Sequence, residues 1–248
     1  MMFALVGGTG YTFLEAFEQT GSSDLETPFG RGSGPVLQGR LFGAPILFLA
    51  RHGKGEPLPP HRVNYRANLA ALKALGATDV IALNAVGGIR ADMGPGRLVL
   101  VDDLIDYTHS REHTIWTERQ AHLHVDLHPP YTAHLRDQLK TAAIASQVEL
   151  IDGGTYGATQ GPRLETAAEI RRMQRDGCDV VGMTGMPEAG LAREMGLHYA
   201  SLCLVANWAA GLSPTEITME EVFANLRASG AQVGQLLEAL LRDSKEEC

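Results

Sequence analysis

Short apolar runs alternate with longer stretches of helical periodicity along this chain, and that alternation restricts the fold more than any other feature. The runs Phe3–Val6, Ile46–Ala50, Val80–Asn84, Leu98–Val101, Val180–Met183 and His198–Val205 have the length and composition of buried strands. Asn64–Leu75, Ala133–Ser146, Thr166–Asp176, Pro187–Met195 and Met219–Leu241 instead repeat apolar residues every three or four positions, as helices with one buried face do. "ALGATDV" and "EMGLHYA" each place a glycine where a helix should stop before the next strand. This order predicts an α/β fold with a largely parallel sheet. With 248 residues and neither a linker nor an internal repeat, the prediction is one domain over 1–248. Asp106–Tyr131, rich in histidine and polar residues, reads as a long surface excursion of the kind that often carries function.

The formal charge of −8 argues against the broad basic footprint of a nucleic-acid binder but leaves room for a local pocket that takes a small anion. Cys178, Cys203 and Cys248 lie far apart without a CxxC spacing, a pattern of reduced thiols in a reducing compartment. The opening apolar stretch is short and lacks the basic flank of a signal peptide. No run approaches the roughly 20 apolar residues of a membrane span. The expectation is a cytoplasmic protein with neither nucleic acid nor membrane as partner.

In open α/β sheets, ligands gather beyond the carboxyl ends of the strands, and the motifs of this chain fall there. "VGGTG" at 6–10 offers glycines for close backbone approach to an anion and a donor in Thr9, or else a glycine turn without a ligand. A dinucleotide fingerprint would need a third glycine three positions after the second, which "GGTGYTFLE" lacks. "LARHG" ends a strand with Arg51, able to clamp a phosphate with two parallel donors, and His52; the alternative is a strand-end salt bridge. "LNAVGG" again puts small residues, Ala85 among them, at a strand end. "GMTGMPE" sets Thr184 near a helix start, with Pro187 suited to the first turn and Glu188 favoured at its positive end, which an ordinary cap also explains.

"HLHVDLH" brings His122, His124, Asp126 and His128 close in sequence, but nothing equivalent closes a ligand shell and Pro129–Pro130 follows at once. No metal is expected there, and one of these rings is better used lining a neighbouring subunit's pocket. Glu165 after "QGPR" and Asn207 at the end of "LVAN" are, taken singly, surface or cap residues.

Together these pieces resemble the trimeric purine nucleoside phosphorylase family, and within it the phosphorylases of methylthionucleosides. The resemblance is carried by "VGGTG", "FLARHG", "VNYRANLAALKALG", "LNAVGG", "TQGPRLETAAE", "VVGMTGMPE" and "LVANWAAG", in this order over most of the chain. It implies a single α/β domain with a mixed central sheet flanked by helices, a homotrimer, no cofactor or metal, and inorganic phosphate as co-substrate beside a purine nucleoside. It assigns phosphate binding to Thr9, Arg51, His52, Thr184 and the backbone of Ala85. Met183 falls beneath the ribose, and Met219, Val222 and Phe223 wall the 5' group. His124 matches a residue lent to the adjacent subunit, and Leu164 stands where many relatives stack a phenylalanine on the base.

Asn207 and Glu165 match the pair that reads the base, and their chemistry can be argued directly. A carboxamide can donate to O6 or N7 and accept a proton arriving at N7, while a carboxylate accepts from the N1–H that only a 6-oxopurine carries. Adenine-reading relatives place aspartate near Asn207 and again at Ala209. Inosine and guanosine phosphorylases place histidine at Met219, where a thioether suits a methylthio group better than a hydroxyl. The expected reaction is therefore phosphorolysis of S-methyl-5'-thioinosine to hypoxanthine. The alternatives are an inosine/guanosine phosphorylase, a methylthioadenosine phosphorylase or, from another class, an NAD-linked nucleotide-binding module.

Overall fold

Strand β1 (Phe3–Gly7) is buried at every position, as a strand covered on both faces must be. The computed structural model describes residues 1–8, 12–116, 124–213 and 218–246. After β1, the strands are β2 (Phe17–Ser23), the short pair β3 (Glu26–Thr27) and β4 (Gly30–Arg31), β5 (Val36–Leu41), β6 (Ala44–Ala50) and β7 (Asp79–Gly88). Then come β8 (Leu98–Leu100), β9 (Asp103–Asp106), β10 (Leu150–Asp152), β11 (Thr155–Ala158), β12 (Val180–Gly182) and β13 (His198–Trp208). The helices are α1 (Tyr65–Ala74), α2 (Ala133–Ala145), α3 (Ala167–Asp176), α4 (Gly185–Glu194) and α5 (Met219–Glu246).

Among the described residues, eleven strands form one sheet with the path β10-β8-β13-β7-β1-β6-β5-β2, while β12, β11 and β9 extend from β7. Side chains alternate across it. Phe3, Leu5, Ile46, Phe48 and Ile81 pack with Leu135 and Leu139 of α2 and Val233, Leu236 and Leu240 of α5. Ala4, Val6, Leu47, Leu49 and Val80 face the other way, onto Leu69 and Leu72 of α1 and Ala189 and Leu191 of α4. Helices thus cover both faces.

The helix signals are realised locally. Thr166 and Glu169 form a reciprocal capping box at the start of α3. Gly76 and Gly196, which follow α1 and α4, adopt φ values of +91° and +69° that favour glycine.

The sheet is mixed, which corrects the largely parallel arrangement expected from the apolar runs alone. β1, β6, β7 and β13 are parallel neighbours, but β8 and β12 run antiparallel to the long strands, as does β5, against which the edge strand β2 pairs antiparallel in turn. The edge escaped notice because β2 is polar and largely exposed, so it has no apolar run to betray it. β7 and β13 continue past their expected ends, carrying Ala85 and Asn207 within strands rather than in the loops after them.

Candidate functional site

The last registered pair between β1 and β7 is Val6 with Ala82, and β12 takes up the edge of β7 only at Gly87. A cleft of about 720 Å³ opens between, within the range of small-molecule sites. Gly7, Gly8, Leu83 and Ala85–Gly87 lie along it. Ala85 is the one exposed residue in an otherwise buried strand because its side faces this space.

Arg51, just after β6, fills the gap between the parting strands. Its Nη1 donates to the Leu83 carbonyl at 3.0 Å and its Nη2 to the Val6 carbonyl at 3.2 Å. Nε and Nη2 also make parallel 2.8 Å bonds to the two carboxylate oxygens of Glu188, and both side chains are buried. Burial opposes the guanidinium charge, but Glu188 outweighs it and holds the Arg51 pKa above its ordinary value. The expected two-donor clamp is thus turned inward onto Glu188. One Nη1–H remains for a ligand, because a cation this deep requires a paired carboxylate.

His52 follows at the cleft wall, its Nδ1 2.8 Å from the Leu58 carbonyl. A carbonyl only accepts, so Nδ1 carries the proton and neutral His52 presents Nε2 as an acceptor. Desolvation lowers its pKa from the usual 6.5, against the raising effect of Leu58, with Arg51 lowering it further. The unfolded chain therefore binds more protons here, so His52 erodes stability as pH falls from 6.5 towards the folded pKa. His52→Gln should lose less unfolding free energy than the parent between about pH 7.5 and about pH 5, measured by denaturant titration. Parallel losses would contradict this environment.

Thr184 precedes the first residue of α4. Its hydroxyl donates to Asn84 Oδ1 at 2.9 Å, and Asn84 Nδ2 donates to Ser201 Oγ at 2.7 Å, all three residues being buried. Turning the Asn84 amide over would let Ser201 donate to it and Asn84 donate to Thr184, freeing the Thr184 proton for an anion. Next to Thr184, Met183 packs on the "QGPR" loop. Gly161 there has φ +61°, and a Cβ on it would fall 2.4 Å from Met183 Sδ, so this approach requires glycine.

Glu165 on the same loop is half-buried, and its Oε1 accepts from the Thr159 hydroxyl at 2.6 Å. Across the cleft, the pairing of β13 with β7 shifts between Val205 and Asn207, a bulge that re-aims the strand end. Asn225 of α5 donates to the Ala206 carbonyl at the bulge. Asn207 Nδ2 donates to the Trp208 carbonyl at 2.7 Å, which leaves its Oδ1 and second N–H for a ligand. Met219, Val222 and Phe223 project from one face of the first turns of α5 and, with Leu164, form an apolar wall. Met219 is 58% exposed, and Phe223 and Leu164 are each 52% exposed, so the rim is open in the isolated chain.

The cleft thus gathers the residues that the resemblance assigned to the site, except Thr9 and His124. Thr9 lies outside the described residues, as does His122. His124 is exposed and does not line this chain's cleft. Asp126 caps its own segment by accepting from the His128 N–H.

Other supporting residues went unrecognised. Glu188 looked like a residue at a helix start, yet it accepts from Arg51 and from the Tyr199 hydroxyl. Asn84 gave no signal beyond its place at a strand end. Arg111, inside the presumed surface excursion, is 9% exposed. It donates to the carbonyls of Met183, Met186, Thr159 and Gln160, holding the Met183 and Glu165 segments together. That excursion is therefore anchored in the core at Arg111, a tertiary role with no local sequence pattern.

An open mixed sheet thus carries at its strand ends one cleft with a polar end and an apolar wall. The phosphorylase superfamily profile matches residues 2–242, and the chain belongs to that family. A probable S-methyl-5'-thioinosine phosphorylase of Xanthomonas campestris pv. campestris is 53% identical over 96% of this chain and 96% of its own. The 6-oxopurine nucleoside phosphorylase of Pyrococcus furiosus is 41% identical over 96% of this chain and 91% of its own. The structure of methylthioadenosine phosphorylase from Schistosoma mansoni with adenine superposes with a TM-score of 0.92, at 30% identity over 100% of this chain and 93% of that one.

Proposed function

We propose that the protein cleaves S-methyl-5'-thioinosine with inorganic phosphate, releasing hypoxanthine and 5-methylthioribose 1-phosphate. The observation that carries this reading is the single cleft in which a polar cluster, a carboxamide–carboxylate pair and an apolar wall follow one another. Phosphate sits against His52, Thr184, the remaining Arg51 N–H and the backbone at Ala85, with Thr9 adding a donor. Met183 lies under the ribose. As the glycosidic bond stretches, positive charge grows on the sugar, and the bound anion stabilises it before attacking C1' from the opposite face. Asn207 donates to O6, and its Oδ1 accepts from the N7–H that forms as water protonates the leaving base. Glu165, fixed by Thr159, accepts from N1–H. An adenine ring would present an unprotonated N1 to that carboxylate and leave both polar atoms unpaired.

The names of the relatives from Xanthomonas campestris and Pyrococcus furiosus support the 6-oxopurine half of this reading. The methylthio half rests on Met219, Val222 and Phe223, which offer a ribose 5'-hydroxyl no strong partner. Phosphate-dependent release of base from methylthioinosine, inosine and methylthioadenosine, measured side by side, tests it. Methylthioinosine should exceed inosine in kcat/KM by about 5–150-fold, matching a cost of about 1–3 kcal/mol for burying an unpaired hydroxyl. Equal efficiency would remove the assignment of the wall, and base release without phosphate would make the enzyme a hydrolase. The whole chain acts as one catalytic domain in a cytoplasmic homotrimer, whose neighbouring subunit covers the open rim and supplies His124. No helix among the described residues is long and apolar enough to cross a membrane.

A further inference from the structure

At the opposite end of β7 and β13 from the cleft, Asp79, His134 and His198 bring one ligand atom each to within 4.8 Å of one another. Asp79 and His198 are the first residues of their strands and pair directly in register. His134 is in the first turn of α2. Asp79 is 1% exposed, while His134 and His198 are about half exposed, at 47% and 49%. Asp79 Oδ1 lies 3.0 Å from His198 Nδ1 and 3.4 Å from His134 Nε2, and the two rings stand edge to face at 4.3 Å.

The geometry points to a binding site for a zinc-class divalent cation. A tetrahedral ion with bonds of about 2.0–2.1 Å separates its ligand atoms by roughly 3.3 Å, close to the two distances from Asp79 Oδ1. Two imidazoles and a carboxylate are a borderline donor set that favours zinc over magnesium or calcium. The half-exposed rings leave the fourth position to water.

The supports of such a site are already present. Asp79 Oδ2 accepts from the Thr78 hydroxyl at 2.6 Å, which orients the carboxylate. The start of α2 is tied to β13 by Thr132, whose N–H donates to the Tyr199 carbonyl and whose Oγ1 accepts from the Tyr199 N–H. His198 N–H donates to the Thr78 carbonyl. All three ligands therefore stand on elements fixed to each other. Cation binding replaces the two imidazole–carboxylate contacts, and the proton on each ligating nitrogen, His198 Nδ1 and His134 Nε2, moves to the other nitrogen of the same ring. Nine residues separate His198 from Asn207 along β13, roughly 30 Å at the rise of a strand, so this cation pins α2 to the sheet and takes no part in the cleft's chemistry.

The test uses the full-length protein, stripped with chelator and titrated with zinc chloride by calorimetry, with bound metal counted by elemental analysis and unfolding followed with and without zinc. The expected result is one saturable ion per chain and a raised unfolding temperature that chelator reverses. His134→Ala and His198→Ala should each abolish the saturable binding, and Thr78→Val should weaken it about 10–100-fold. Phosphorolysis by all three variants should match the parent. Absence of saturable binding, or histidine variants that bind zinc as the parent does, would overturn the assignment.

Discussion

Glu188→Ala should lower the unfolding free energy by about 3–5 kcal/mol, the cost of leaving a buried charge without its partner. The substitution leaves Arg51 a buried cation, with only the Leu83 and Val6 carbonyls still accepting from it. It also removes the acceptor of the Tyr199 hydroxyl, which bonds Glu188 at 2.8 Å. For a chain of this length the loss corresponds to a fall of several degrees or more in Tm, so a thermal scan in phosphate-free buffer reads it directly. The same change frees Nε and one Nη2–H of Arg51 beside the cleft. Phosphate should therefore stabilise the variant more than the parent, because ligand binding adds stability in proportion to the gain in affinity. Arg51→Ala removes the cation and should raise the phosphate KM. A loss below about 1 kcal/mol in Glu188→Ala would mean that the ion pair is not the keystone of the parting strands.

The parts of this architecture that repeat were readable from the chain, and those that depend on long-range contacts were not. β1, β6, β7 and β13 are buried on both faces, so their apolar runs announced them. The Thr166 cap and the glycines at 76 and 196 marked helix limits through local backbone chemistry. β2 could not be seen because an edge strand with one wet face has no unbroken apolar signature. In the site, Arg51, His52, Thr184, Glu165 and Asn207 stood at strand ends or on glycine-flanked loops, where motif and topology coincide. Glu188 and Arg111 were invisible for a different reason: each is defined by partners far away in sequence. Glu188 is 137 residues from Arg51, and Arg111 is 72 residues from Met183. Pairing over such distances leaves no periodicity. The direction of the Arg51 guanidinium was missed for the same reason, since only the packed α4 shows which way its donors turn.

Asn207→Ala should lower kcat/KM for methylthioinosine by about 10²–10³-fold, the loss typical when one preorganised group facing developing charge is removed. The reasoning rests on where the amide sits. The bulge at Ala206 places Asn207 on the cleft, and its bond to the Trp208 carbonyl fixes the amide while leaving one donor and one acceptor for the purine. Both partners strengthen only as the base departs, when negative charge spreads to O6 and N7 takes a proton, so the deficit should appear chiefly in kcat. The phosphate KM should stay near the parent value, because Asn207 makes none of the contacts of the His52–Thr184 end. Changing the chemistry rather than deleting it gives a sharper discriminator. Asn207→Asp combined with Glu165→Gln presents a carboxylate to a 6-amino group and an amide to an unprotonated N1, and should shift the kcat/KM ratio towards methylthioadenosine. A double variant that retains the parent's preference, or an Asn207→Ala enzyme within about threefold of the parent, would place base recognition on other residues of the cleft.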